Sequence, residues 1–138
     1  QLLLVDSTMM RGEIAYHEGN YEEAFTLLRK AVQQQDDLNY DEPWGKMQPI
    51  RHALGGLLLE QDQVDEAEQV FRTDLEFHPR NPWALVGLIR CLKKKACCCS
   101  SGASAEIASL EEQLEVQRKG EWTDFDVVVA CECCKRPA

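Results

Sequence analysis

The chain has 138 residues, 28% of them charged, with a formal net charge of −9 at pH 7. That is room for one domain with a modest core, or for two to three helical hairpins. The acidic balance argues against nonspecific nucleic-acid binding, which needs clustered Lys and Arg, and would repel anionic lipid; no apolar run approaches the ~20 residues of a membrane span. The opening QLLLV is too short for a secretory signal and lacks a basic flank and a cleavage site. With no Met at position 1, the chain reads as a piece of a longer, processed or truncated protein. Its seven cysteines are Cys91, Cys97, Cys98, Cys99, Cys131, Cys133 and Cys134, and the first 90 residues have none. A secreted disulfide scaffold spreads its cysteines out, so this placement predicts a reducing, cytoplasmic setting.

Taken in order, residues 3 to 18 predict a first helix with Leu3, Leu4, Met10, Ile14 and Ala15 buried and Gly12 small enough for a neighbour to approach. Gly19 and Asn20 tolerate positive φ and supply a turn. Residues 21 to 35 predict a partner helix with Ala24, Leu27, Leu28 and Ala31 inward. Its Glu22 and Glu23 lie near the N-terminus and Arg29 and Lys30 nearer the C-terminus, as the helix dipole favours. The stretch DDLNYDEPWGKMQ, residues 36 to 48, breaks helical periodicity and is expected to pack back as an insertion loop. Pro49 fits a first helical position, and residues 49 to 61 resume helix with Leu54, Leu57 and Leu58 inward.

The stretch DQVDEAEQVFRTDLEFHPR, residues 62 to 80, is the segment around which the rest organises. Val64, Ala67, Phe71 and Leu75 recur at three or four residues, with Val70 and Phe77 adding to the apolar stripe. Pro79 ends the helix and biases His78 away from it. Residues 83 to 95 predict a fifth helix with Leu85, Leu88, Ile89 and Leu92 apolar. CCCSSGAS, residues 97 to 104, reads as a loop. A sixth, acidic helix follows from Ser104 to about Lys119, with Ile107, Leu110, Leu114 and Val116 apolar. The tail beyond Trp122 predicts a short helix or an extended segment.

Two similar hairpins in one short chain imply a repeat. In register, Gly12 and Gly55 coincide, as do Gly19 and Asp62 at the turn, Tyr21 and Val64, Ala24 and Ala67, and Leu28 and Phe71. Pro79 closes the second unit where Asp36 stands in the first. This pattern resembles the tetratricopeptide repeat, with units 43 residues apart because of the 36–48 insertion. The resemblance implies an all-α, right-handed α-hairpin solenoid. It has two clear repeats, at about 5–38 and 48–80, and a degenerate third or capping hairpin at 82–120, within a repeat domain of residues 1–120. Residues 121–138 form a Cys-containing tail.

The resemblance also implies a function, that of a noncatalytic scaffold binding a peptide or helix of another protein along a concave groove. Carried over position by position, the groove comprises Met9, Glu13, Tyr16 and His17 on the first helix and His52, Gly56 and Leu59 on the third. The fifth helix adds Trp83, Val86, Arg90, Lys93 and Lys94. The Lys–Asn clamp that some members use for chaperone C-termini is missing, since its positions hold Met9, Glu13, His52 and Gly56.

The residues themselves suggest little chemistry. Carboxylates are abundant, but none is expected to be paired on an apolar face for acid–base work, and no phosphate loop, nucleophile elbow or HExxH is present. The three histidines are too scattered for a metal site, so no cofactor or metal is expected. Adjacent cysteines reach one tetrahedral metal poorly, yet a thiol-based metal or redox module at Cys97–Cys99 and Cys131–Cys134 stands as an alternative, as does an accessory segment of a larger enzyme. Glu42, Pro43, Trp44 and Arg51 could form an ion pair under an aromatic lid.

Overall fold

The computed structural model describes residues 1–39, 48–96 and 103–121. Among them are six helices and no strand: α1 (Leu2–His17), α2 (Tyr21–Asp36), α3 (Ile50–Glu60), α4 (Val64–Phe77), α5 (Pro82–Ala96) and α6 (Ala103–Glu121). Each pairs with the next in sequence, α1 with α2 through α5 with α6, and α3 also touches α5. The result is an all-α helical repeat solenoid in which a hairpin buries its outer face only by stacking on its neighbour. The insertion expected around Trp44, the CCC loop and the cysteine-bearing tail lie outside the described residues.

The two hairpin turns are built alike. Gly19 has φ 86° and Asp62 has φ 57°, so both occupy the left-handed region. In each turn an amide reaches back five residues, Asn20 N to Ala15 O at 2.8 Å and Gln63 N to Leu58 O at 2.9 Å. These bonds satisfy carbonyls left over at the end of α1 and α3. The register aligning Gly19 with Asp62 is therefore a backbone equivalence, reached by glycine in one unit and by an acidic residue in the other. The α4–α5 corner differs. Pro79 follows a helix that ends at Phe77, and Pro82 is the first residue of α5.

The core follows the same register. Ala24 and Ala67 are fully buried, as are Leu28 and Phe71. A Cβ on Gly12 would lie 2.9 Å from Leu28 Cγ, and one on Gly55 would lie 2.7 Å from Phe71 Cζ. The glycines thus admit the large residue of the second helix. Phe71 is wedged twice, because a Cβ on Gly87 of α5 would come within 2.3 Å of its ring. Full burial of this one side chain contributes about 3 kcal/mol.

Several apolar residues expected inside are outside. Leu3 is 85% exposed, Met10 60% and Ile14 51%, while Leu4, Phe77 and Val116 are also exposed. Ala15 is buried as expected, and the inward face of α1 is completed by Val5, Thr8, Gly12 and Tyr16. The covered side of α1 faces mainly α2, with Val5 also clustered with Ile50 at the start of α3 and Tyr16 tied to the end of α3. Phe77 lies past the packed part of α4, under the Arg51 guanidinium 5.1 Å from its ring centre. Arg51 itself pairs with Asp36 at 2.6 Å. Pro49 stands one residue before α3 as its extended N-cap.

Candidate partner-binding groove

The first helices of the hairpins, α1, α3 and α5, supply the expected groove. Their C-terminal ends are tied in a row. Tyr16 Oη donates to Glu60 Oε2 at 2.5 Å and accepts from Gln61 Nε2 at 2.8 Å, joining α1 to the end of α3. Lys94 Nζ then joins α5 to the same end through Leu59 O at 3.4 Å and through the Asp62 carboxylate.

Tyr16 is consequently not a groove surface. It is fully buried, with Tyr21 and Phe25 against its ring edge. Burial first, then the Glu60 carboxylate, push its hydroxyl up to about 12, partly offset by Gln61. Gly56, Leu59 and His52 are buried as well. Met9 and Val86 are half-buried against the core, and Glu13 and Trp83 are half-buried. His17, Arg90, Lys93 and Lys94 are exposed.

Two predicted groove residues on different helices, His52 and Trp83, meet ring to ring. Their rings stack across α3 and α5 with centroids 5.9 Å apart and planes 25° from parallel. Two of the groove's cations, Lys93 and Lys94, already face acids. Lys93 pairs with Glu111 of α6 at 2.7 Å, and Lys94 pairs with Asp62.

Beneath His52 lies a polar cluster that sequence reasoning missed. Asp74 of α4 is fully buried. Its Oδ2 accepts from Asn81 Nδ2 at 2.5 Å and lies 3.6 Å from His52 Nε2, while Oδ1 faces His78 Nδ1 at 3.5 Å. Burial acts to raise the Asp74 pKa. The polar contacts with His52 and Asn81 and the nearby His78 outweigh it and hold the carboxyl below its usual value. The signal was legible: Asp74 is seven residues after Ala67 and three after Phe71, which puts a carboxylate on the apolar stripe of α4. The cluster fastens α3, α4 and the start of α5 together, beneath the stacked pair.

A second ion-pair group lies away from these groove residues. Glu68 meets both Arg72, at 2.8 Å, and Lys95, at 2.7 Å, and Arg72 reaches Glu106 at 2.7 Å, linking α4, α5 and α6. Cys91 is a core residue, its thiol pushed up to about 11 by burial and then by Glu68, against the opposing pull of Lys95 and Lys94. A thiol so disfavoured from ionising is a poor nucleophile or metal ligand. The other six cysteines lie outside the described residues. Among the described residues no three His, Cys, Asp or Glu side chains gather as a metal site. No helix among them is long and apolar enough to cross a membrane.

Comparison with known families places residues 15–78 within a model described as tetratricopeptide repeat. The match runs from the end of α1 through α4, taking in both left-handed turns and the Phe71 wedge. No curated protein and no solved structure matches the chain.

Proposed function

The chain is a tetratricopeptide-repeat protein, and from that premise we propose that it is a noncatalytic scaffold holding a peptide of a partner protein along α3 and α5. Repeats of this family generally mediate protein–protein interaction. The observation that carries the reading here is the His52–Trp83 stack, held by the Asp74–Asn81 cluster beneath it. A half-buried aromatic fixed from below loses little freedom on binding and offers a large contact area. Val86 and the exposed Arg90 follow Trp83 by three and seven residues and extend that face along α5. Arg90 supplies a cation for a carboxylate of the peptide, whereas Lys93 and Lys94 already face acids.

The test is selection from a displayed library of unstructured peptides, followed by fluorescence anisotropy. Selected peptides should compete for one site and lose at least tenfold in affinity against Trp83→Ala with Arg90→Glu. Circular dichroism melts would verify that the variant is folded. If no peptide is enriched, or if wild type and folded variant bind alike, the groove reading is wrong.

A further inference from the structure

Asn81 sits where α3, α4 and α5 meet. It precedes α5 and caps it: Asn81 O accepts from Leu85 N at 3.0 Å, and Oδ1 accepts from Trp83 N at 3.2 Å. The other end of the side-chain amide, Nδ2, donates to Asp74 Oδ2 at 2.5 Å and also contacts His52 Nε2. Neither end can be turned round. A backbone N–H only donates, and the ionised Asp74 carboxylate only accepts, so Oδ1 belongs to Trp83 and the NH2 group to Asp74 and His52. With a donor against it, His52 Nε2 is an acceptor. In this arrangement the ring is neutral, with its proton on Nδ1.

A proton on Nε2 would break that arrangement. Nε2–H would meet the Asn81 amino group donor against donor, and would be drawn instead to Asp74 Oδ2, 3.6 Å away. The amide must then withdraw, or turn Oδ1 to the imidazolium. Either movement takes the acceptor from Trp83 N and weakens the cap of α5. Around the ring, α4 brings Asp74, and the α4–α5 corner brings His78, whose Nδ1 is 3.5 Å from the other Asp74 oxygen. α5 brings Trp83, stacked on the ring. Toward α2, α3 uses Arg51 with Asp36 and the Ile50 amide with Gln35.

We propose that His52 is a proton-operated switch on the groove: on gaining a proton, the ring takes the Asp74 carboxylate from Asn81, uncaps α5 and loosens Trp83. The consequence for peptide binding rests on the groove reading; the switch itself does not. Histidine changes its charge between about pH 8 and about pH 5, so the firmly held Trp83 belongs to the upper part of that range. Loss of one helix cap shifts the local equilibrium at the start of α5 about fivefold toward opening. A proton on His78 acts differently, since that ring meets Asp74 Oδ1 and leaves the Asn81 bonds alone.

The experiment follows the whole chain by NMR from about pH 7.5 to about pH 5.5. Long-range proton–nitrogen spectra of the histidine rings should show His52 as the Nδ1–H tautomer at the upper end and as imidazolium at the lower. The Trp83 backbone amide should shift along the same curve and lose about fivefold in hydrogen-exchange protection. His52→Gln should remove the Trp83 response, and His78→Gln should keep it. The switch is overturned if His52 carries its proton on Nε2 at the upper end, if the ring does not titrate, or if the Trp83 amide ignores its titration. These three signs are read on the wild-type chain, so a poorly folded variant does not blur them. A peptide selected for the groove should also lose about fivefold in anisotropy-measured affinity over the same range. Unchanged affinity, with ring and amide both responding, would overturn the claim that the switch governs the groove. Failure to find any peptide would sink the groove reading and the consequence for binding, while the ring and amide signals would still decide the switch.

Discussion

α1 and α3 are the first helices of equivalent hairpins, yet they are treated oppositely. α3 buries every residue from Ile50 through Leu59, including Arg51 and His52. α1 leaves Leu3, Leu4, Met10 and Ile14 in solvent. The residue types do not account for this, because α1 is just as well supplied with large aliphatics. The neighbours do: α3 lies against α2, α4 and α5, whereas α1 packs chiefly on α2. In a stacked solenoid a side chain's burial depends on its helix's place in the stack as well as on its own face.

If that is right, substitutions should lose force on moving from the inner seam toward α1. The largest loss is expected at Phe71, held between Gly55 and Gly87. Phe71→Ala should cost about 4 kcal/mol in urea unfolding, since the cavity opens against two helices at once. Next is Asp74→Ala, at about 3 kcal/mol, because it strands the buried His52 and the half-buried Asn81 beside the carboxylate. Asp74 also predicts a pH dependence. Its folded pKa is depressed, so its contribution is present above the ordinary carboxylate value and is lost as pH falls through the lower folded one. Wild type should lose more stability than Asp74→Ala as pH falls below the ordinary carboxylate value of about 4, as read from acid titrations of unfolding.

A smaller effect, of opposite sign, is expected at the turns. Asp62 holds a left-handed backbone that Gly19 adopts freely in the first unit. Asp62→Gly should stabilise by about 0.5 kcal/mol, the gain in backbone strain being reduced by loss of the exposed pair with Lys94. Gly19→Ala should destabilise by about 1 kcal/mol in the same thermal or urea assay.

Much of the frame was legible in the residues. Gly12, Ala24 and Leu28 aligned with Gly55, Ala67 and Phe71, and the structure packs both sets in the same way. The Gly19–Asp62 equivalence was legible too, since both residue types tolerate positive φ. Less legible was whatever depends on a neighbour. Helical periodicity marks an apolar stripe, as at Leu3, Met10 and Ile14, but does not say whether another helix covers it. Tyr16 was assigned to the groove by position, yet its hydroxyl found Glu60 and Gln61 44 and 45 residues away and the ring went inside. Asp74 was passed over because its partners, His52 and Asn81, come from separate elements. Gly87 gave no sign of its role because the ring it admits belongs to the preceding hairpin.

The most direct test of the account sets Leu57→Ala beside Ile14→Ala, two aliphatic truncations at the same repeat position. Equilibrium urea unfolding should give a loss of about 3 kcal/mol at Leu57 and less than about 0.5 kcal/mol at Ile14. Equal losses at the two positions would contradict the claim that place in the stack decides burial.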